Sequence, residues 1–249
     1  MFADLHKILV DSTDKNLRGL FVLVTDTILA DGSFVLHHYI HSNLRAEKKT
    51  ILISLDQTPF HYNSVGKKLG FNLADSNYFS IINGLTNNDP VCTYIRILIH
   101  LRSLYVQLKE KIDQEKGVNI VLDNVNILYH MYTREETDMF IQYCTSLIRS
   151  QPSVRMTIGE SNEMKESEST LVMLMHEEEE EETMRSIAYS ADLILSAEQL
   201  ETGYSKEVDG QLTVISTREP GSQRGKSVGG RYHYKMNENN VQLSSYNSG

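Results

Sequence analysis

Short, solidly apolar segments recur along this chain, and segments with helical periodicity separate them. The apolar segments lie at 20–25, 50–55, 79–82, 118–122, 171–175 and 192–197. Continuous apolar runs of this length are typical of strands that are buried on both faces, as in a parallel sheet. Strands that alternate with helices place the helices on the two faces of such a sheet. The pattern therefore predicts an α/β fold with a mostly parallel central sheet flanked by helices.

Signals for helix ends lie between these strands. Pro59 suits the first turn of a helix, and Gly70 suits its end. Thr133 and Glu136 have the spacing of a capping box, which predicts that another helix begins there. A longer helix is predicted from apolar residues that recur every three or four positions. These residues are Tyr94, Leu98, Leu101, Tyr105, Leu108 and Ile112.

The C-terminal part of the chain has a different pattern. Segments 211–217, 231–236 and 241–245 alternate apolar with polar residues, and Gly-rich or Asn-rich turns separate them. We therefore expect the sheet to end in antiparallel strands, with a C-terminal β-hairpin at about 211–246. Because no internal repeat and no linker divides the sequence, residues 1–249 are predicted to form a single domain.

Composition excludes several classes of protein. The longest wholly apolar run, 20–24, has five residues, whereas a membrane span needs about 18–20. Two cysteines, Cys92 and Cys144, are too few for a disulfide framework or a zinc site by themselves. The N-terminal residues include an early Asp4 and do not resemble a secretory signal. These features predict a soluble protein of a reducing, intracellular compartment without a membrane partner.

Charge is distributed unevenly along the chain. The formal net charge is −9, and the stretch 160–182 alone carries it, with ten Glu and one Lys. We expect an acidic flexible segment at about 160–182, because a block of like charges repels itself and is usually solvated. The stretch 218–235 has five basic residues against one Glu. The overall acidity argues against a general polyanion binder, but it does not argue against nucleic acid at this basic stretch.

The segment after the first strand has the spacing of a phosphate-binding loop but not its chemistry. Asp26 and Asp31 stand where that loop has its two framing glycines, Gly32 stands at the lysine position, and Ser33 stands at the final hydroxyl position. Two carboxylates repel a triphosphate, and a cation is missing where phosphoryl transfer needs one. The sequence predicts a degenerate phosphate loop at these four residues and no functional one.

Three other motifs carry weaker signals. The stretch 221–227 imitates a phosphate loop but is one residue short, and a flexible basic loop is the better interpretation. Asp56 and Asp123 end apolar strands; Asp123 suits either an acid that holds a magnesium-bound water or a loop cap. His37 and His41 lie one helical turn apart without a third ligand, so no metal site is predicted.

Four strings resemble one known family, in the family's order. They are DGSFVLHHYI (31–40), HYNSVGKKLG (61–70), VLDN (121–124) and ADLILSAEQLETGYSKEVDGQL (191–212). On these strings the chain resembles the Elongator complex protein 6 family. The resemblance implies a RecA-like domain without a working phosphate loop, in a hetero-hexameric ring with two copies each of Elongator subunits four and five. It also implies that the ring binds transfer RNA and supports C5 modification of the wobble uridine, U34.

The resemblance also implies two sets of candidate residues. In RecA-like rings a strand near the C-terminus often delivers an arginine to the neighbouring subunit, and Arg218 stands at such a strand end. Arg218 is expected to meet nucleotide phosphate or a partner carboxylate across the interface, or else to form an ordinary surface salt bridge. The candidates for RNA contact are Arg224, Lys226, Arg231 and Tyr232, with Tyr234 nearby. The alternative for these residues is a solubilising hairpin.

The sequence is compatible with three functions. The leading one is a non-catalytic structural subunit of the Elongator complex, in the cytoplasm and also in the nucleus. This subunit binds no cofactor by itself, and the expected place for ATP is at the ring interfaces. The alternative is an ATPase whose unconventional phosphate site is shared with neighbouring ring subunits. A third is a free-standing acidic adaptor that uses Glu residues 177–182 to attract a basic partner.

Overall fold

A computed structural model of the chain describes most of its residues. The described residues are 2–12, 19–74, 76–84, 101–113, 117–150, 154–157, 164–167, 169–177, 181–200, 203, 205–217 and 227–245. The strands are β1 (Leu20–Asp26), β2 (Thr50–Ser54), β3 (Phe79–Asn83), β4 (Asn119–Leu122), β5 (Val154–Thr157), β6 (Met164–Ser167), β7 (Thr170–His176), β8 (Leu193–Glu198), β9 (Gly210–Ser216), β10 (Ser227–Met236) and β11 (Val241–Ser245). The helices are α1 (Ala3–Ser12), α2 (Ser33–Arg45), α3 (Pro59–Lys68), α4 (Leu101–Asp113), α5 (Asn126–Met131), α6 (Arg134–Ser150) and α7 (Glu181–Ser190).

Nine strands form one sheet in the order β11-β10-β9-β8-β1-β7-β4-β2-β3. The six strands from β8 to β3 are parallel to one another. The remaining three, β9 to β11, continue the sheet with antiparallel pairings. The predicted fold class is confirmed: an α/β domain with a mostly parallel sheet, flanking helices and antiparallel strands at the C-terminal end.

The apolar runs form central strands because both of their faces are covered. Every residue of β1, β2 and β4 is buried. Alternate side chains of a strand point to opposite faces, so Phe21 and Leu23 pack with α4, α6 and α7, whereas Val22 and Val24 pack with α1, α2 and α3. The sheet thus separates two apolar cores, one under each layer of helices.

The parallel topology brings several polar loop residues to one edge of the sheet. Strands β1, β2, β4 and β7 run in the same direction, so the residues that follow them lie at a common edge, which we name the carboxyl edge. In open α/β sheets, ligands bind outside the carboxyl ends of the strands. The degenerate loop 26–33, Asp56 and Asp123 all lie at this edge.

The acidic stretch 160–182 is not one solvated segment. It contains β6, the central strand β7 and the first residues of α7. The expected flexible segment is therefore wrong for β7, where five consecutive apolar residues are buried between β1 and β4. At the C-terminal end, the expected hairpin is a three-stranded antiparallel meander, β9 to β11. Among the helices of the described ranges, none is long and apolar enough to cross a bilayer.

The predicted capping box at the start of α6 is confirmed. The Glu136 N–H donates to Oγ1 of Thr133 over 3.3 Å, and the Thr133 N–H donates to Oε2 of Glu136 over 3.1 Å. These two bonds satisfy backbone donors that the first turn of a helix leaves without partners.

Replacing Thr133 with Ala is expected to lower the free energy of unfolding by about 1 kcal/mol, because one capping acceptor is lost. Thr133→Ser keeps the hydroxyl and is the matched control, with an expected change of a few tenths of a kcal/mol at most. Urea unfolding at neutral pH measures both variants. An Ala variant as stable as the Ser variant would contradict the role assigned to this cap.

Candidate functional site

The degenerate loop begins where Asp26 ends β1. Its carboxylate is buried, with 2% of the residue exposed. The Gly32 N–H, at the N-terminus of α2, donates to Oδ2 of Asp26 over 2.8 Å. A Cβ atom at position 32 would lie 3.1 Å from Cβ of Asp26 and 3.2 Å from Cγ1 of Val24, which is closer than most packed contacts. Glycine therefore allows the α2 N-terminus to approach the Asp26 carboxylate.

Asp31 occupies the next backbone donor of the same helix. The Ser33 N–H donates to Oδ1 of Asp31 over 2.7 Å, and the Ser33 hydroxyl donates to Oδ2 of Asp31 over 2.9 Å. In a phosphate loop, the amides at a helix N-terminus and the Ser or Thr hydroxyl serve the nucleotide and its magnesium ion. In this chain Asp26 and Asp31 take those donors.

A nucleoside triphosphate therefore does not fit this loop. Two carboxylates already lie at the α2 N-terminus, where helix dipoles favour negative charge. The lysine position holds Gly32, so the loop has no cation to neutralise phosphate oxygens. The structure brings together the four residues that the sequence assigned to a degenerate phosphate position, Asp26, Asp31, Gly32 and Ser33. They hydrogen bond to one another.

Sequence reasoning did not anticipate the second partner of Asp26. Nδ1 of His176, the last residue of β7, lies 2.5 Å from Oδ1 of Asp26. This contact joins the end of β7 to the end of β1, and the tautomer of the imidazole sets which of the two groups donates. The signal for this contact in the sequence is a polar His-Glu pair directly after an apolar strand, at positions 176 and 177.

Further acidic groups follow β7 and β8 at the same edge. The Ser196 hydroxyl lies 3.4 Å from Oε1 of Glu177 and 3.0 Å from Oε1 of Glu198. Burial, and then the charge of Glu198, raise the pKa of Glu177. This side of the carboxyl edge is consequently acidic, which again disfavours polyanions.

Asp123 acts as a loop anchor, one of the two roles that the sequence left open. Only 3% of the residue is exposed. Its Oδ1 accepts from the Leu55 N–H over 2.6 Å, and its Oδ2 accepts from the Gln57 N–H and the Tyr62 hydroxyl, each over 3.1 Å. Burial raises the pKa of Asp123 to about 6, and these hydrogen bonds oppose the rise. All of these contacts hold the β2–α3 loop in place, so the carboxylate is engaged in structure.

Two of the three histidines of α2 are core residues. His37 and His38 are buried, and burial is the main cause that lowers the pKa of His37 to about 4 and that of His38 to about 3. His37 packs on Tyr62 with ring centroids 5.5 Å apart, and His41 packs on Phe71 at 5.2 Å. In the ranges that the structure describes, no group of three or more His, Cys, Asp or Glu is arranged to hold a metal ion.

Most of the candidate residues in the basic stretch lie outside the described residues. This holds for Arg218, Arg224 and Lys226, and also for most of the stretch 221–227 that imitates a phosphate loop. Arg231 and Tyr232 lie on β10, where Arg231 is exposed.

The two tyrosines of β10 do not expose their rings as an RNA contact requires. Tyr234 is buried, with 2% exposed, and its ring centroid lies 5.1 Å from that of Phe34, so an RNA contact by this side chain is wrong. Tyr232 is half-buried and packs against the same core. Since Arg231 and Tyr232 are consecutive residues of a strand, their side chains point to opposite faces of the sheet.

Comparison with known proteins adds the observation that decides the family. Residues 2–238 match the family described as Elongation complex protein 6. The chain belongs to this family.

Relatives that are similar over almost the whole chain carry the same description. Proteins named Elongator complex protein 6 are 29% identical in Xenopus laevis and 24% identical in Homo sapiens, and each alignment covers 97% of this chain and 96% of that protein. The protein of that name in Dictyostelium discoideum is 24% identical over 92% of this chain and 91% of its own length. The family match thus extends over both the parallel sheet and the antiparallel meander.

Proposed function

We propose that this chain is a non-catalytic structural subunit of the Elongator complex. It forms a hetero-hexameric ring of RecA-like domains with Elongator subunits four and five, two copies of each. The ring binds transfer RNA in support of C5 modification of wobble uridine U34, in the cytoplasm and also in the nucleus. Membership of the Elongation complex protein 6 family over residues 2–238 supports this proposal.

One observation carries the non-catalytic part of the proposal. The backbone amides of Gly32 and Ser33 donate to Asp26 and Asp31, so the chain's own carboxylates take the donors that would hold phosphates. The loop also lacks the lysine that phosphoryl transfer needs. Any nucleotide bound by the ring is therefore held at its interfaces or in a partner, and this chain alone binds no cofactor.

Arg218 is proposed to reach across a ring interface, to nucleotide phosphate or to a partner carboxylate. The residue directly follows Thr217, which lies just after β9 and donates its N–H to the carbonyl of Asp192, just before β8. In the assembled ring, Arg218→Ala should lower any nucleotide turnover if phosphate is the partner. Full turnover with stable assembly would exclude the phosphate version.

Transfer RNA contact is proposed for the cations around β10, namely Arg224, Lys226 and Arg231, with Tyr232 beside them. Contacts to phosphate make binding weaken steeply as salt rises. The slope of log affinity against log salt concentration should become shallower by about one unit for each cation removed. A variant of the ring with the three cations replaced by Gln should therefore bind transfer RNA more weakly and with a shallower salt dependence. Unchanged affinity and slope would mean that this strand does not contact RNA.

Native mass spectrometry tests the structural role. The full chain is purified alone and after co-expression with subunits four and five, and the expected mass is that of a 2:2:2 assembly. ATP hydrolysis is measured on both samples. Turnover by the purified chain alone would favour the ATPase alternative, and absence of a common assembly would overturn the ring.

A further inference from the structure

We propose that the β1–α2 turn and the start of α3 form the docking surface for a protein neighbour whose contact face is an apolar recess rimmed by Lys and Arg. The exposed apolar corner consists of Ile28, Leu29 and Phe60, which are 85%, 71% and 80% exposed. Among the large apolar residues that the structure describes, these three are the most exposed. The inference rests on the proposed ring and identifies the surface of this chain that the neighbour meets.

The turn itself breaks a local rule. Backbone hydrogen bonds join Thr27 and Ala30 in both directions, at 3.4 and 3.0 Å, so Ile28 and Leu29 are the two central residues of a tight turn. Such positions favour Gly, Asn and Asp, since these residues suit the turn backbone and water. Ile28 and Leu29 are mostly exposed there, so these two adjacent aliphatic side chains bury little apolar surface within the chain. A rule broken without local compensation is expected at a functional surface.

Phe60 lies at the same end of the sheet as the β1–α2 turn. The ring centroids of His37 in α2 and His61 in α3 lie 6.2 Å apart, so the second turn of α2 lies beside the first turn of α3. Phe60 immediately precedes His61, and the β1–α2 turn immediately precedes α2. All three side chains therefore lie at the carboxyl edge, two in the turn after β1 and one in the first turn of α3, the helix that follows β2. An apolar patch with a polar border is the usual mark of a protein interaction site.

Charge at this edge selects the kind of partner. The described residues that directly follow the six parallel strands are 27–32, 55–58, 84, 123–125, 177 and 199–200, and none of them is Lys or Arg. Asp31, Asp56 and Glu177 are exposed there. Carboxylates of this number repel anionic lipid and nucleic acid, both of which are polyanions. They favour a protein face with a basic rim, and complementary charge of this kind sets specificity and speeds association.

The test compares matched serine variants of exposed residues. The corner variant is Ile28→Ser with Leu29→Ser, and the control is Tyr189→Ser, which removes a 66% exposed side chain from α7. Thermal unfolding of the isolated corner variant should be unchanged, because Ile28 and Leu29 are mostly exposed. Thermal unfolding of the control is measured alongside it. The dissociation constant between each chain and a purified mixture of subunits four and five is then measured by analytical ultracentrifugation at low and high salt.

The corner variant should bind at least about 30-fold more weakly than the wild type, as expected for a hot spot, and the control within about threefold. Wild-type binding should weaken as salt rises. Equal binding by the corner variant and the wild type would overturn this surface while leaving the ring intact. Failure of the wild type to bind the mixture would instead overturn the proposed function and, with it, this inference.

Two other occupants have their own readouts in the same series. Self-association of the wild-type chain that the corner variant loses would assign the surface to a second copy of the chain. Binding to vesicles of phosphatidylcholine and phosphatidylserine that the corner variant loses would assign it to a lipid surface. Either result would overturn the assignment to a different protein with a basic rim.

Discussion

Replacing Asp123 with Ala should lower the free energy of unfolding by about 3 kcal/mol, because several donors lose one common acceptor. The Leu55 and Gln57 N–H groups and the Tyr62 hydroxyl all donate to this buried carboxylate. A methyl group cannot replace any of these bonds, and it leaves a cavity beside Tyr62. Urea unfolding measures the loss, and near-wild-type stability would contradict the role of Asp123 as the anchor of the β2–α3 loop.

The control Asp123→Asn keeps the size of the side chain and removes its charge. Burial raises the pKa of Asp123 from 3.8 to about 6, so the folded protein holds this proton more tightly than the unfolded chain does. The stability that comes from the bound proton is complete below about pH 4 and is lost as the pH rises through 6.

This pH dependence gives the Asn variant a defined outcome. Relative to the variant, the wild type should lose about 3 kcal/mol of unfolding free energy between pH 4 and pH 7, which corresponds to a pKa shift of roughly two units. Urea unfolding at pH 4, 5.5 and 7 measures both proteins. A stability difference that stays constant over this range would show that the carboxyl group is not protonated more readily in the folded state.

Replacing Asp192 with Ala is expected to destabilise the fold by about 3 kcal/mol, because the Arg149 guanidinium and the buried Phe21 N–H lose a common acceptor. One per cent of the Asp192 side chain is exposed, and it lies 3.0 Å from Nη2 of Arg149. Its Oδ2 also accepts from the Phe21 N–H over 2.9 Å. The carboxylate therefore joins the end of α6, the start of β1 and the start of β8.

A double-mutant cycle separates the pair from its surroundings. Arg149→Met keeps a side chain of similar length and removes the guanidinium that donates to Asp192, while the Phe21 N–H still donates to the same carboxylate. Urea unfolding should show that the double variant loses about 1–3 kcal/mol less than the sum of the two single losses, and this difference is the coupling energy. Additive losses would mean that the two side chains do not interact in solution.

The central architecture was predictable from the sequence because it depends on local patterns. Solid apolar runs such as 20–25 and 171–175 indicated parallel strands, and β1 and β7 are adjacent parallel strands in the structure. Thr133 and Glu136 form the capping box that their spacing predicts. Patterns of this kind are sufficient because each one involves residues that are near one another in the chain.

Contacts between distant residues were not predictable in the same way. Asp26 and His176 are 150 positions apart, and Arg149 and Asp192 are 43 apart. Only the order of strands in the sheet brings such pairs together, and periodicity does not determine that order. Tyr234 is a further example. Its position beside basic residues suggested an RNA contact, but in β10 its side chain faces the core and packs against Phe34.

The carboxylates also changed the meaning of the degenerate loop. From the sequence, Asp26 and Asp31 were residues that repel phosphate. In the structure they accept hydrogen bonds from the backbone amides that phosphate would need, so the α2 N-terminus is occupied by the chain itself. A structural subunit is the role that this geometry supports best.

Titration calorimetry of Mg-ATP into the purified chain tests most directly whether Asp26 and Asp31 fill the phosphate site. The α2 N-terminus holds two carboxylates and its loop has no lysine. We therefore expect no saturable heat of binding up to roughly 1 mM ATP, a concentration that would reveal even a weak complex. The same titration into the assembled ring shows whether the method detects sites contributed by its partners. Saturable binding of one Mg-ATP by the isolated chain would contradict a phosphate site filled by Asp26 and Asp31.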